Sequence, residues 1–129
     1  MDRITTLVLV FLGGGLGASF RVSLDWGIAR VWKGLSWPVG TLFINLTGCL
    51  LLGALYGWLA REKATWGQWG TPLLGAGFLG GFTTFSTFGM QTMLFLKEGK
   101  WGMALSYVLL SVSGGILLAA AGYVFTHNR

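Results

Sequence analysis

The sequence predicts an all-α integral membrane protein of four transmembrane helices, and three observations carry that expectation. Of its 129 residues, 53% are hydrophobic and only 10% are charged, and the mean hydropathy of +0.68 is too high for a small soluble domain. Four charge-free runs, Ile4 to Phe20, Gly34 to Ala60, Ala64 to Leu96 and Trp101 to Thr126, each approach or exceed the ~20 apolar residues that cross a bilayer. The gaps between them leave no room for a soluble domain, so any chemistry has to use groups inside the membrane or at its surfaces.

The first helix is expected over about residues 4–24. Its run also admits a secretory signal peptide, but the basic region is a single Arg3 and the apolar stretch is interrupted by Gly13, Gly14 and Gly15, which argues against it. Those glycines do not make a nucleotide loop either, because the last glycine of G-x-G-x-x-G is replaced by Ala18 and no strand, helix and acidic residue follow in register. The second helix is expected over about 38–60, the third over 71–96 and the fourth over 101–126, within one transmembrane domain, 1–129. The third run is the longest and carries Gly80 and Gly81 at its midpoint, followed by Thr83, Thr84, Ser86 and Thr87. Glycines relax the backbone and neighbouring hydroxyls can satisfy freed carbonyls, so a non-helical break at membrane depth is expected there. The pairs Gly13/Gly17, Gly53/Gly57 and Gly77/Gly81 have the spacing that lets helix backbones approach closely. Trp26, Trp32, Trp37, Trp58, Trp66, Trp69 and Trp101 lie near run ends, where indoles sit at the headgroup boundary.

The formal charge is +5, but the nine basic residues are scattered singly, which favours anionic lipid headgroups as partners over nucleic acid. Cys49, the only cysteine, offers neither an internal disulfide nor a metal cluster and reads as a small packing residue. Counting loops, with Arg21 set aside because it sits at the end of the first span, Arg3, Arg61, Lys63 and Arg129 fall on one side and Arg30, Lys33, Lys97 and Lys100 on the other. An even split removes the usual orienting instruction. Such a chain can insert both ways and form an antiparallel two-fold homodimer, or it keeps a small bias that the loop boundaries hide.

Polar residues form one stripe on each of three helices: Thr41 and Asn45 on the second, Thr84, Thr87 and Gln91 on the third, Tyr107 and Ser111 on the fourth. Against lipid such stripes cost energy, so they turn toward one another or toward a pathway. Asn45 is either a structural hydrogen bonder or, through its two N–H donors, a partner for an anion. Phe85 and Phe88 share a helical face, as packing or as positive ring edges that meet an anion without trapping it. The four expected spans contain no Asp, Glu, His or Lys, which leaves proton relays and carboxylate-driven cation exchange without residues. Hydroxyls, amides and ring edges together favour a small, strongly hydrated anion. Arg21 supplies either positive potential or an internal anchor.

The strings GGGLGASFR (Gly13 to Arg21), GTLFINLTG (Gly40 to Gly48) and especially GFLGGFTTFSTF (Gly77 to Phe88) resemble the Fluc, or CrcB, fluoride channels, over essentially the whole chain. The resemblance implies a dual-topology homodimer in the bacterial inner membrane that exports toxic fluoride passively, with two antiparallel pores and a central structural sodium ion. It implies that Phe85 and Phe88 line the pore with Asn45, and that the backbone carbonyls of Gly80 and Thr83 from both subunits hold the sodium. It also sets Thr41, Thr84, Thr87, Tyr107 and Ser111 near the ion path, with Arg21 as the first-helix arginine. Gln91 stands where the family often has Glu, and Gly115 where some members have a second hydroxyl. No enzyme activity is expected. The rivals are a small dual-topology multidrug exporter, which needs an intramembrane carboxylate, and an accessory membrane subunit, in which the stripes are packing alone.

Overall fold

A computed structural model describes residues 1–34, 37–61 and 66–129; Lys63, one of the residues in the loop-charge count, lies outside them. Among the described residues all regular structure is helical. In chain order the elements are α1 (Arg3–Val31), α2 (Val39–Arg61), α3 (Trp66–Gly70) continuing into a π-helix (Thr71–Leu79), α4 (Gly80–Phe82), α5 (Phe85–Lys97) and α6 (Trp101–His127). Three of them, α1, α2 and α6, are long and apolar enough to cross a membrane. The segment expected as the third span is divided into pieces.

Local sequence explains the ends. Asp2 caps α1, its carboxylate accepting from the Thr5 N–H at 2.9 Å and the Thr5 hydroxyl at 2.8 Å, which satisfies donors that a helix start leaves free. At the far end α1 runs seven residues past the expected position 24, to Val31. At 1.5 Å per residue it is about 43 Å long, more than the hydrocarbon thickness of ~30 Å, so Asp25 stands on this helix. Pro72 lacks an N–H and crowds the turn before it, and the wider π pitch begins at that point. Gly99, at φ +70°, makes the left-handed turn that closes α5, where Lys100 N–H donates to the Phe95 carbonyl at 2.9 Å.

Backbones meet directly in two helix pairs. A Cβ on Gly13 or Gly17 would fall into the carbonyls of Leu73 and Phe78, and one on Gly81 into that of Gly14, so α1 lies flush on the π-helix and α4. In the same way Gly53 and Gly57 press on the carbonyls of Ala119 and Tyr123, and Gly122 on that of Leu50, closing α2 on α6. All three glycine pairs singled out by spacing sit at these crossings. Lipid provides no hydrophobic drive for helices to associate, so close dispersion contact has to do it. The buried side-chain core is correspondingly small: Ile44, Leu79 and Phe82 in one cluster, Phe95, Ala104 and Tyr107 in the other. Most large apolar side chains, including Trp26, Trp66 and Trp101, face outward.

Candidate functional site

The helix break falls at Thr83 and Thr84, three residues after the glycine pair expected to mark it. Gly80 and Gly81 remain helical, whereas Thr83 (φ −81°, ψ 162°) and Thr84 (φ −149°, ψ 111°) are extended. A break at this depth frees backbone groups that water cannot satisfy, and side chains replace the lost bonds. The Asn45 amide spans Thr84 on both sides: its Oδ1 accepts from the Thr84 N–H at 2.8 Å and its Nδ2 donates to the Thr84 carbonyl at 3.0 Å. Arg21 Nε donates to the Gly81 carbonyl at 3.3 Å, so the anchor role offered by the sequence is present. The Thr84 hydroxyl accepts from the Thr87 N–H at 3.2 Å and donates to the Thr87 hydroxyl at 2.9 Å, restarting the helix as an N-cap. The carbonyls of Gly80 and Thr83 accept no hydrogen bond among the described residues.

Those two oxygens fit a hard cation, which prefers oxygen-only ligation. Gly80 is exposed on the protomer, so a neighbouring molecule can share whatever it holds. Among the described residues no group of three or more His, Cys, Asp or Glu gathers for any softer metal.

The three polar stripes converge. Gln91 Nε2 donates to the Thr41 hydroxyl at 3.0 Å, and the Tyr107 hydroxyl donates to Gln91 Oε1 at 2.8 Å. An amide can donate at one end and accept at the other, so Gln91 joins a buried Thr41 to a fully buried Tyr107. Tyr107 packs edge-on to Trp37 at 5.8 Å and to Phe95 at 6.2 Å, and its ring lies 5.1 Å from Phe88. Phe88 in turn lies 5.7 Å from Phe85. Phe85 is 83% exposed, so it projects off the protomer rather than into it. The Ser111 hydroxyl is buried without a partner among the described residues.

Adjoining cavities border these groups. A groove of about 300 Å³ is lined by Asn45, Gly80, Thr83, Thr84, Phe85, Phe88 and Ser111. Behind it a chamber of about 70 Å³ is bounded by Arg21, Asp25, Thr41, Thr84 and Thr87. A wider opening of about 290 Å³ follows, with Asp25, Thr41, Gln91, Trp37 and Lys33 in its wall. Thr84 belongs to the first two cavities, Asp25 and Thr41 to the last two. Every site residue named from the sequence therefore lines one of these adjoining cavities or bonds to a residue that does. Two residues carry more than the sequence reading gives them: Gln91, a member of the third-helix stripe and a departure from the family pattern, is the centre of the side-chain network, and Asp25 lies one residue beyond the span expected to end at 24. Its position four residues after Arg21, one helical turn on, was the available signal.

A family model described as "CrcB-like protein, Camphor Resistance (CrcB)" matches residues 8–123. Among curated relatives, a "Fluoride-specific ion channel FluC" of Leptospira interrogans is 44% identical over 128 residues, covering 99% of each chain. Proteins of the same name from Methylobacterium nodulans and Caulobacter sp. are 43% identical, covering 88% of each chain, and 39% identical, covering 97% of each chain.

Proposed function

The chain belongs to the CrcB family, and from that membership we propose that it is a fluoride channel that lets fluoride leave the cell passively through the inner membrane. The relatives named above are called fluoride-specific ion channels. The observation on this chain that carries the reading is the orphaned Ser111 hydroxyl, buried in the groove that Asn45, Thr84, Phe85 and Phe88 also line. A buried polar group without a partner is costly unless something fills its bond, and a small anion that accepts hydrogen bonds fits that vacancy in its coordination.

Each group then has a task. Lys33 and Arg21 attract an anion toward the opening and the chamber. The hydroxyls of Thr41 and Thr87, which accept from Gln91 and Thr84 and keep their own protons, replace water as donors, together with the Asn45 N–H that Thr84 does not use, while Tyr107 and Thr84 hold the network in place. The ring edges of Phe85 and Phe88 give contact soft enough for release. Because Phe85 projects off its own protomer, a second copy completes the conduit. We take that copy to be antiparallel, giving four crossings per chain and two pores per dimer. The Gly80 and Thr83 carbonyls of both copies would hold a structural sodium ion, whose charge supplies the partner those oxygens lack and ties the two breaks together. The driving force is the ion gradient, so no turnover chemistry and no enzyme is involved.

The decisive experiment is efflux from liposomes holding the purified protein, comparing fluoride with chloride at equal gradients. Fast fluoride efflux with chloride retained is the expected result; equal permeation, or none, overturns the reading. Phe88→Ile is expected to lower fluoride flux about tenfold, the equivalent of ~1.4 kcal/mol of ring-edge interaction. An accessory role predicts no change.

A further inference from the structure

Asp25 is the acidic side chain on these adjoining cavities, and nothing in the fluoride reading gives it a task. It sits on α1 one turn after Arg21 and lines both the 290 Å³ opening and the 70 Å³ chamber. Among the described residues Thr41 alone shares both walls with it, so Asp25, exposed on the protomer, and Thr41 mark the neck where the two cavities adjoin. The carboxylate lies against Gly40 at the start of α2, where a Cβ on Gly40 would run into its Oδ1; the bare glycine is what admits a carboxylate at the neck. The Arg21 Nε is turned to the Gly81 carbonyl. Among the described residues no ion pair to Asp25 is formed. Lys33 lies in the wall of the opening, Arg21 in that of the chamber and Asp25 in both, so the carboxylate stands between two cations.

We propose that Asp25 is a rate-setting residue for anion entry, a fixed negative charge at the neck between two attractive cationic stations. The proposal rests on the fluoride-channel reading and adds to it the group that limits access. A unit charge about 6 Å from the path, in water, lowers the local anion concentration about threefold in dilute salt. The effect fades as the Debye length contracts from ~30 Å at 0.01 M to ~3 Å at 1 M. Loss of the charge with little change of shape therefore raises flux at low ionic strength and leaves it unaltered at high ionic strength.

The test is fluoride flux through wild type, Asp25→Asn and Asp25→Ser in planar bilayers or liposomes, with an impermeant salt added to vary ionic strength. Both variants are expected to conduct about threefold faster than wild type in dilute salt and to match it near 1 M. Two substitutions of different size guard against a folding defect in either one. Unchanged or slower flux in both at low ionic strength overturns the proposal, and so does an increase that persists undiminished at high ionic strength, since that is a steric effect. A wild type that passes no fluoride sinks the channel reading together with this one; a conducting wild type that Asp25→Asn and Asp25→Ser merely reproduce sinks this one alone.

Discussion

Replacing Asn45 with alanine removes both bonds that hold Thr84 in its extended geometry and leaves a backbone N–H and C=O unpaired inside the protein. The expected loss is about 2 kcal/mol of stability, measured as thermal unfolding in detergent, in addition to any loss of flux. Of the two readings that the sequence left open for this residue, the structural one is present in these bonds, and the second amide N–H is left for the anion role proposed above. Ser111→Ala separates the roles in the opposite way. Its hydroxyl bonds to nothing among the described residues, so stability is expected to hold or rise while fluoride flux falls; a stability loss without a flux change would make Ser111 purely structural. At the N-terminus the Thr5 backbone N–H, and next the Thr5 hydroxyl, hold Asp2 below its usual 3.8. A depressed carboxylate contributes stability above its ordinary pKa and loses it as pH falls through the lower folded value. Protection of the Thr5 and Thr6 amides against hydrogen exchange is thus expected to persist at neutral pH and to drop in acid below 3.8.

Elements differ in how far the chain announces them. The apolar runs and the small-residue spacing of Gly13/Gly17 and Gly53/Gly57 make three helices and their crossings readable, because lipid imposes length and packing imposes small side chains. The position of the break was less readable. Gly80 and Gly81 relax the backbone, but α1 needs Gly81 for close approach, and the interruption moves to Thr83 and Thr84, where Asn45 offers replacement bonds. That partner comes from another helix and has no local signature. The π pitch after Pro72 and the extension of α1 through Asp25 were missed for a related reason, since hydropathy marks the membrane's thickness rather than the helix's end. The polar stripes were legible residue by residue, whereas their joining through Gln91 depends on rotamers that spacing does not specify. At this scale Gly17→Val is expected to cost about 3 kcal/mol by forcing α1 off the Phe78 carbonyl. Gly89→Ala meets nothing nearby and is expected to stay within about 0.5 kcal/mol of wild type; unfolding in detergent compares the two.

For the whole molecule, the dimer with opposed members proposed above makes a prediction about labelling. A Lys100→Cys reporter in a Cys49→Ser background is expected to label from both faces of the membrane, with about half of the molecules reached from each side. Labelling from a single face would remove the antiparallel arrangement. The flush contacts of α1 on the π-helix and of α2 on α6 bear on selectivity as well as on assembly. Where main chain rests on main chain, no rotatable group lies between to swing aside. A wall built in that way resists breathing, so the width offered to a passing halide should stay constant on warming, and discrimination between halides of different radius should change with temperature far less than the flux itself.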